Sequence, residues 1–270
     1  MSILLARKSS EAGYPFPMPG LDLPALAQTA AAAADLARRE ILPRFRRVAV
    51  EHKADGSPVT EADRAGERAI RAFLADATPG IPVVGEEFGG EASGPRHWLV
   101  DPIDGTIAFS RGIPLFATLI ALVEEGEPVV GLIDLPTLDD RTLGYRGGGC
   151  HRNGTPVQVS KESDPRRAIV AHGDAICFDL VGRRPAFERM AHELPFLRGY
   201  TDAFGHAQVL AGGVDAMVDL MLNAWDAAPT QVLVPEAGGR CETFPLGKGK
   251  LGLVFGSPAL VELLMGYLGE

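Results

Sequence analysis

Nowhere in this 270-residue sequence does an apolar stretch approach the roughly 18 residues that a membrane-spanning helix needs. The patch Ile3-Leu4-Leu5-Ala6 is too short for the core of a secretory signal, so a cytoplasmic location with no membrane partner is expected. Cysteine is scarce too. Cys150, Cys177 and Cys241 are odd in number, far apart and without Cys-x-x-Cys spacing, which argues against a disulfide framework or a thiolate zinc site. Positive charge is short: 26 Lys and Arg face 35 Asp and Glu, a formal net charge of -9. That balance speaks against a nucleic-acid partner, because phosphate backbones are held mainly by Lys and Arg. Neither a Gly-x-Ser-x-Gly elbow nor a Gly-x-x-x-x-Gly-Lys-Ser/Thr loop occurs, so nothing offers a nucleophile for a phosphoenzyme. None of the six histidines has metal-ligand spacing.

What is present is an ordinary globular balance, 46% hydrophobic and 23% charged, enough for one large domain or two intimate halves. Residues 1-20, rich in Pro and Gly, read as an arm. Leu26, Ala30, Ala33, Ala37, Ile41 and Phe45 recur at helical spacing and predict a long amphipathic helix closing near Pro43. Thr60-Glu61-Ala62-Asp63 predicts a second helix with Thr60 as N-cap and Asp63 in the first turn. Val83-Val84 and His97 to Val100 read as short buried strands running into acids. Phe116 to Val123 and Val129 to Leu135 read as a hairpin. The first part, residues 21-165, is thus expected to set helices on a mostly antiparallel sheet. From about residue 166, helix and strand alternate: a strand at Ile169, helices at 185-192 and 204-210, a strand at 214-220 and a helix from Asp226 stopped by Gly238-Gly239. A strand at 251-255 and a Ser257-capped terminal helix follow. This predicts a smaller α/β half, residues 166-270.

In Asp101-Pro102-Ile103-Asp104-Gly105-Thr106, two acids flank a proline and precede a glycine. A rigid turn of this kind can aim both acids and a backbone carbonyl at one place, and all-oxygen donors suit a hard cation such as Mg²⁺. Two successive turns with no ligand role explain the run equally well. For Asp63, the plain alternative is a capping residue.

Together, Gly85-Glu86-Glu87, Trp98 to Thr106 and Trp225-Asp226-Ala227-Ala228, in this order, resemble the inositol monophosphatase family of metal-dependent phosphatases. The resemblance spans Lys53 to Gly239. It implies an α+β fold layered α-β-α-β-α, a small phosphate-monoester substrate, two or three Mg²⁺ ions for which Mn²⁺ can substitute, and a homodimer. By position it implies that Glu86, Asp101, the Ile103 carbonyl, Asp104 and Asp226 bind metal, with Glu87 at a third ion. Asp63 and Thr106 are implied to orient the attacking water, and Gly105 and Thr106 to meet the phosphate.

Gly199 to Ala207 is similar to the histidinol-phosphate phosphatase branch, with Thr201 in place of the branch's first glycine. That substrate carries an ammonium and an imidazole, so pocket acids are expected, with Asp202 and Asp219 as candidates. The alternatives are that Asp202 caps a helix and that Asp219 is a solvated strand-end residue. Asp219 also falls where inositol phosphatases often place an acid that contacts a ring hydroxyl, so an inositol or broader sugar phosphatase remains a second reading. A non-catalytic phosphate-binding regulator is a third. Ile107 follows Thr106 where the branch often has Arg, leaving Arg111 as a possible replacement contact. Pro229 is expected in the first turn of the helix that begins at Asp226.

Overall fold

A computed structural model describes residues 20–53 and 56–269, so the expected N-terminal arm lies almost wholly outside the described residues. The chain passes through α1 (Leu23–Ile41), β1 (Val50–His52), β2 (Pro58–Thr60), α2 (Glu61–Ala77), β3 (Val83–Gly85), β4 (Arg96–Asp104) and α3 (Thr106–Ser110). It continues through β5 (Ala117–Glu124), β6 (Glu127–Leu135), β7 (Asp140–Tyr145), β8 (Gly149–Arg152), β9 (Thr155–Pro156), β10 (Ile169–His172), α4 (Ala175–Leu180) and α5 (Arg184–Glu193). The remaining elements are β11 (Phe196–Gly199), α6 (Asp202–Leu210), β12 (Ala216–Leu222), α7 (Ala224–Glu236), β13 (Arg240–Gly247), β14 (Lys250–Gly256) and α8 (Pro258–Leu268).

The strands form a seven-stranded sheet in the order β3-β4-β5-β6-β7-β8-β9, antiparallel except for the parallel pair β3 and β4. A five-stranded sheet, β11-β10-β12-β14-β13, is parallel at β10 and antiparallel around β14. β1 and β2 pair separately. Helices α1 and α2 cover the outer face of the large sheet, α6 and α7 lie between the sheets, and α4, α5 and α8 cover the far face of the small one. This is the expected α-β-α-β-α order.

Sequence pattern explains the layering. β5 is buried throughout because both its faces are covered: Ile120 and Leu122 join Trp98 against α1 and α2, while Leu119, Ala121 and Val123 join the core beneath α7. Helix α1 starts at Asp22, whose side chain accepts from the Ala25 N–H at 3.0 Å, and it buries Ala27, Ala30, Ala33, Ala34 and Ala37. Such small side chains let it lie close to its neighbours.

Helix α7 begins two residues earlier than the sequence suggested, so Pro229 stands at its sixth position rather than in the first turn. A proline there has no N–H for the carbonyl one turn back; its burial with Ala227, Ala228, Val232 and Leu233 offsets that loss. Ser257 also departs from expectation. It holds the N-cap position of α8, but its hydroxyl donates to the Glu162 carbonyl at 2.7 Å instead of capping.

The seat of α7 on the large sheet is Gly131, where an added Cβ would lie 2.6 Å from Val232 Cγ1 and 2.8 Å from the Pro229 carbonyl oxygen. Gly131→Ala is therefore expected to cost about 1–3 kcal/mol, read from the urea midpoint, because the nearest obstacle includes helix backbone. The same displacement shifts Asp226, on the first turn of α7.

Candidate metal centre

The run Asp101 to Thr106 is neither of the two separate turns nor a regular strand end. It is a bulge, with the β4–β5 register slipping between Asp101 and Asp104. The Asp101 carboxylate accepts from the Ile103 N–H at 2.9 Å, and the buried Thr118 hydroxyl donates to the Pro102 carbonyl at 2.8 Å. Gly105 then adopts φ +85° as the N-cap of α3, a conformation that favours glycine. Asp104 accepts from the Ala203 N–H at 2.6 Å through one oxygen, tying the bulge to α6.

Asp226 arrives from α7 as the acid of a capping box. Its Oδ2 accepts from Asn223 N at 2.7 Å and Asn223 Nδ2 at 3.1 Å, and Asn223 Oδ1 accepts from Lys250 Nζ at 2.7 Å. Carboxylate oxygens of Asp101, Asp104 and Asp226 lie within 4.8 Å of one another, the one such group of three metal-ligating side chains found among the described residues.

Glu86 lies beside Asp101, close enough for its charge and a side-chain hydrogen bond to act on that carboxyl. Glu86 and Glu87 share Lys53, whose Nζ lies 2.8 and 2.7 Å from their carboxylates. The turn carrying both is held by Glu67, which is fully buried and accepts from the Glu87 N–H at 2.7 Å, the Phe88 N–H at 3.2 Å and Arg71 Nε at 2.6 Å. Gly85 is required here, since a Cβ would fall 2.2 Å from Glu67 Oε1.

Both readings of Asp63 hold at once. Its Oδ2 accepts from the Thr60 N–H at 2.8 Å and the Thr60 hydroxyl at 2.6 Å as part of the α2 capping box. Its Oδ1 faces the Thr106 hydroxyl at 3.3 Å, and that hydroxyl is also 2.9 Å from the Ile103 carbonyl oxygen. A hydroxyl has one proton, so Thr106 donates to one of these at a time.

Electrostatics set the character of the centre. Burial, then the charges of Glu86, Asp104 and Asp226, raise the Asp101 carboxyl well above its ordinary range. Asp104 is raised likewise by burial, Asp202 and Asp226. Asp226 is pushed up to about 7 by burial and by Glu86, against the hydrogen bonds from Asn223. Converging carboxylates out of water cannot all ionise without a counter-charge. Lys53 pairs with Glu86 and Glu87, and Lys250, held on Asn223, offsets Asp226 only in part. The donors are all oxygen, and the set fits a hard divalent cation.

Beside the centre lies a cavity of about 170 Å³ lined by Asp104, Asp226, Asp174, Cys177, Asp202 and Asp219 among others. Asp202 is not the helix cap; Thr201 is, and Asp202 opens α6 with φ +57° while its carboxylate accepts from the Thr201 hydroxyl at 3.1 Å. Burial and Asp219 push its carboxyl up to about 6. Asp219 is buried rather than a solvated strand-end residue. Arg111 caps the C-terminal end of α3, at the opposite end from Thr106.

Several supporting residues escaped the sequence reading: Glu67, Thr118, Asn223 and His206. Asn223 was within reach, because Asn-x-x-Asp ahead of a helix is a capping signature. The others act through partners distant in the sequence and leave no local pattern. Glu67→Ala would strip two N–H groups and Arg71 of their acceptor. A loss of about 3 kcal/mol is expected in urea unfolding, with weaker binding of a divalent cation.

Comparison with known proteins agrees with this geometry. The model of the inositol monophosphatase family matches residues 22–258. Histidinol-phosphatase of Streptomyces coelicolor is 37% identical over 257 residues, covering 88% of this chain and 94% of that protein. Histidinol-phosphatase of Chlorobaculum parvum is 37% identical over 198 residues, 73% of this chain and 76% of that protein. The crystal structure of the extragenic suppressor protein suhB from Bartonella henselae superposes with a TM-score of 0.83 at 27% identity, covering 91% of this chain and 99% of that one.

Proposed function

The chain belongs to the inositol monophosphatase family of metal-dependent phosphomonoesterases, and from that premise we propose that it hydrolyses histidinol phosphate to histidinol and inorganic phosphate. The observation that carries the reaction is the convergence of Asp101, Asp104 and Asp226 within 4.8 Å. The Asp63–Thr106 pair flanks the same bulge.

In this reading Glu86, Asp101, the Ile103 carbonyl, Asp104 and Asp226 hold Mg²⁺, which Mn²⁺ can replace, and Glu87 serves a third ion. When bound, the ions supply Lewis-acid stabilisation of phosphoryl charge and acidify a water. Asp63 and Thr106 hold that water in line with phosphorus, a positioning role that a capping box suits because it locks the Asp63 rotamer. The backbone N–H groups following Gly105 meet the phosphate oxygens. The alcohol end of the ester enters the acidic cavity, where Asp202 and Asp219 complement the ammonium and imidazole.

The division near residue 165 into a metal-binding half and a specificity half belongs to the same proposal. So do a cytoplasmic location and a homodimeric state, the latter implied by the family resemblance.

The test is phosphate release with Mg²⁺ from histidinol phosphate, inositol 1-phosphate and fructose 1,6-bisphosphate. A kcat/KM for histidinol phosphate at least about tenfold above the others is expected, the scale of one well-made charged contact. Comparable values on inositol phosphate would sink the assignment and favour a broader polyol phosphatase.

A further inference from the structure

We infer that His206 is a positioning residue that fixes Asp219 as the recognition carboxylate for the leaving alcohol, an inference that rests on the cavity being the alcohol subsite. His206 lies on α6, 2% exposed, with its ring 4.7 Å from that of Phe255. Its Nε2 is 3.0 Å from Asp219 Oδ2 and its Nδ1 is 2.6 Å from Thr230 Oγ1. A carboxylate oxygen accepts, so Nε2 is the donor to Asp219, and Nδ1 is left to the Thr230 hydroxyl, which can both donate and accept.

This arrangement joins three elements through their interiors: Thr230 on α7, His206 on α6 and Asp219 on β12. Thr230 is completely buried, so the anchor end has no solvent alternative. Asp219 is confined from the other side as well. Its Oδ1 lies where a Cβ on Gly173 would approach to 2.0 Å, so only glycine at 173 leaves room for it. Both ring nitrogens of His206 are spent on the tether, and the carboxylate they hold lines the cavity with Asp174 and Asp202.

The chemical consequence concerns binding rather than turnover. A buried carboxylate that loses its donor swings to a new partner. That change weakens recognition of a cationic or hydroxyl-bearing alcohol and leaves the phosphate end untouched. Two substitutions separate the tether from simple packing. His206→Gln can still reach Asp219 with an N–H, whereas His206→Asn keeps a polar group near Thr230 but is too short to reach Asp219.

The experiment measures KM and kcat of wild type and both variants on histidinol phosphate and on methyl phosphate, whose leaving alcohol offers no ammonium, ring or second hydroxyl to Asp219. His206→Asn is expected to raise KM for histidinol phosphate about tenfold with kcat changed less than about threefold, and His206→Gln to stay within about threefold of wild type in KM. Equal KM in the two variants, or an equal factor on both esters, would overturn the inference. The substrate reading is judged separately, by which ester wild type prefers. If that is inositol 1-phosphate, the same Asn-to-Gln ratio is read on it, since Asp219 then accepts from a ring hydroxyl.

Discussion

Asp101→Asn is expected to lower kcat on the order of 10³-fold or more while leaving the circular dichroism spectrum unchanged. Asp101 is 2% exposed, in a bulge whose shape is set by its own bond from the Ile103 N–H and by Thr118 on the next strand. An asparagine oxygen can keep the first of these bonds, so the backbone has no reason to move. What disappears is one negative charge from a buried group of like charges, where Glu86, Asp104 and Asp226 all oppose ionisation of Asp101. Two effects of opposite sign follow. The metal-free variant should melt no lower than metal-free wild type, because repulsion is relieved, and its magnesium requirement should rise because an anionic ligand is lost. Wild-type turnover in Asp101→Asn at saturating magnesium would refute the ligand role.

Stability against pH should separate the metal-free and metal-loaded proteins. Asp226 has a folded-state carboxyl pushed up to about 7 from an ordinary value of 3.8, and Asp101 and Asp104 are raised in the same direction. Between those values the folded state binds more protons than the unfolded state. Stability from these groups is therefore fully present below about pH 4 and is lost as pH rises toward 7. A bound divalent cation supplies the missing counter-charge, so the loaded protein should not show that decline. The melting temperature gained on adding magnesium should then be larger at pH 8 than at pH 5, by roughly 5 °C or more. An equal gain at both values would mean that the carboxylates are not the groups the ion relieves.

Much of the architecture could be read from pattern. The helical spacing from Leu26 to Ile41, the Thr60 cap and the hairpin around Gly126 are local signals, and each stands where it was expected. Helix α7 was placed less well, because Pro229 was treated as a boundary marker. Burial between two sheets overrides the propensity against an internal proline. The acids of the candidate centre were legible only as a set, since Asp226 is brought to Asp101 by α7 packing on Gly131, a contact between residues about a hundred positions apart. Glu67 and His206 were not legible at all. A buried glutamate inside α2 reads as a surface helix residue until the turn it supports is seen, and a histidine at helical spacing looks like any core residue. Asp219 shows the same limit: the sequence left it between a pocket acid and a solvated strand end, because its partner lies thirteen residues away on another element.

The most direct test of the account is the position of a bound cation. Crystals of the protein grown with Mn²⁺ should give an anomalous-scattering peak between the carboxylates of Asp101, Asp104 and Asp226, at about 2.0–2.3 Å from an oxygen of each. Manganese found only elsewhere on the protein, with those three carboxylates free of it at saturating concentration, would contradict it.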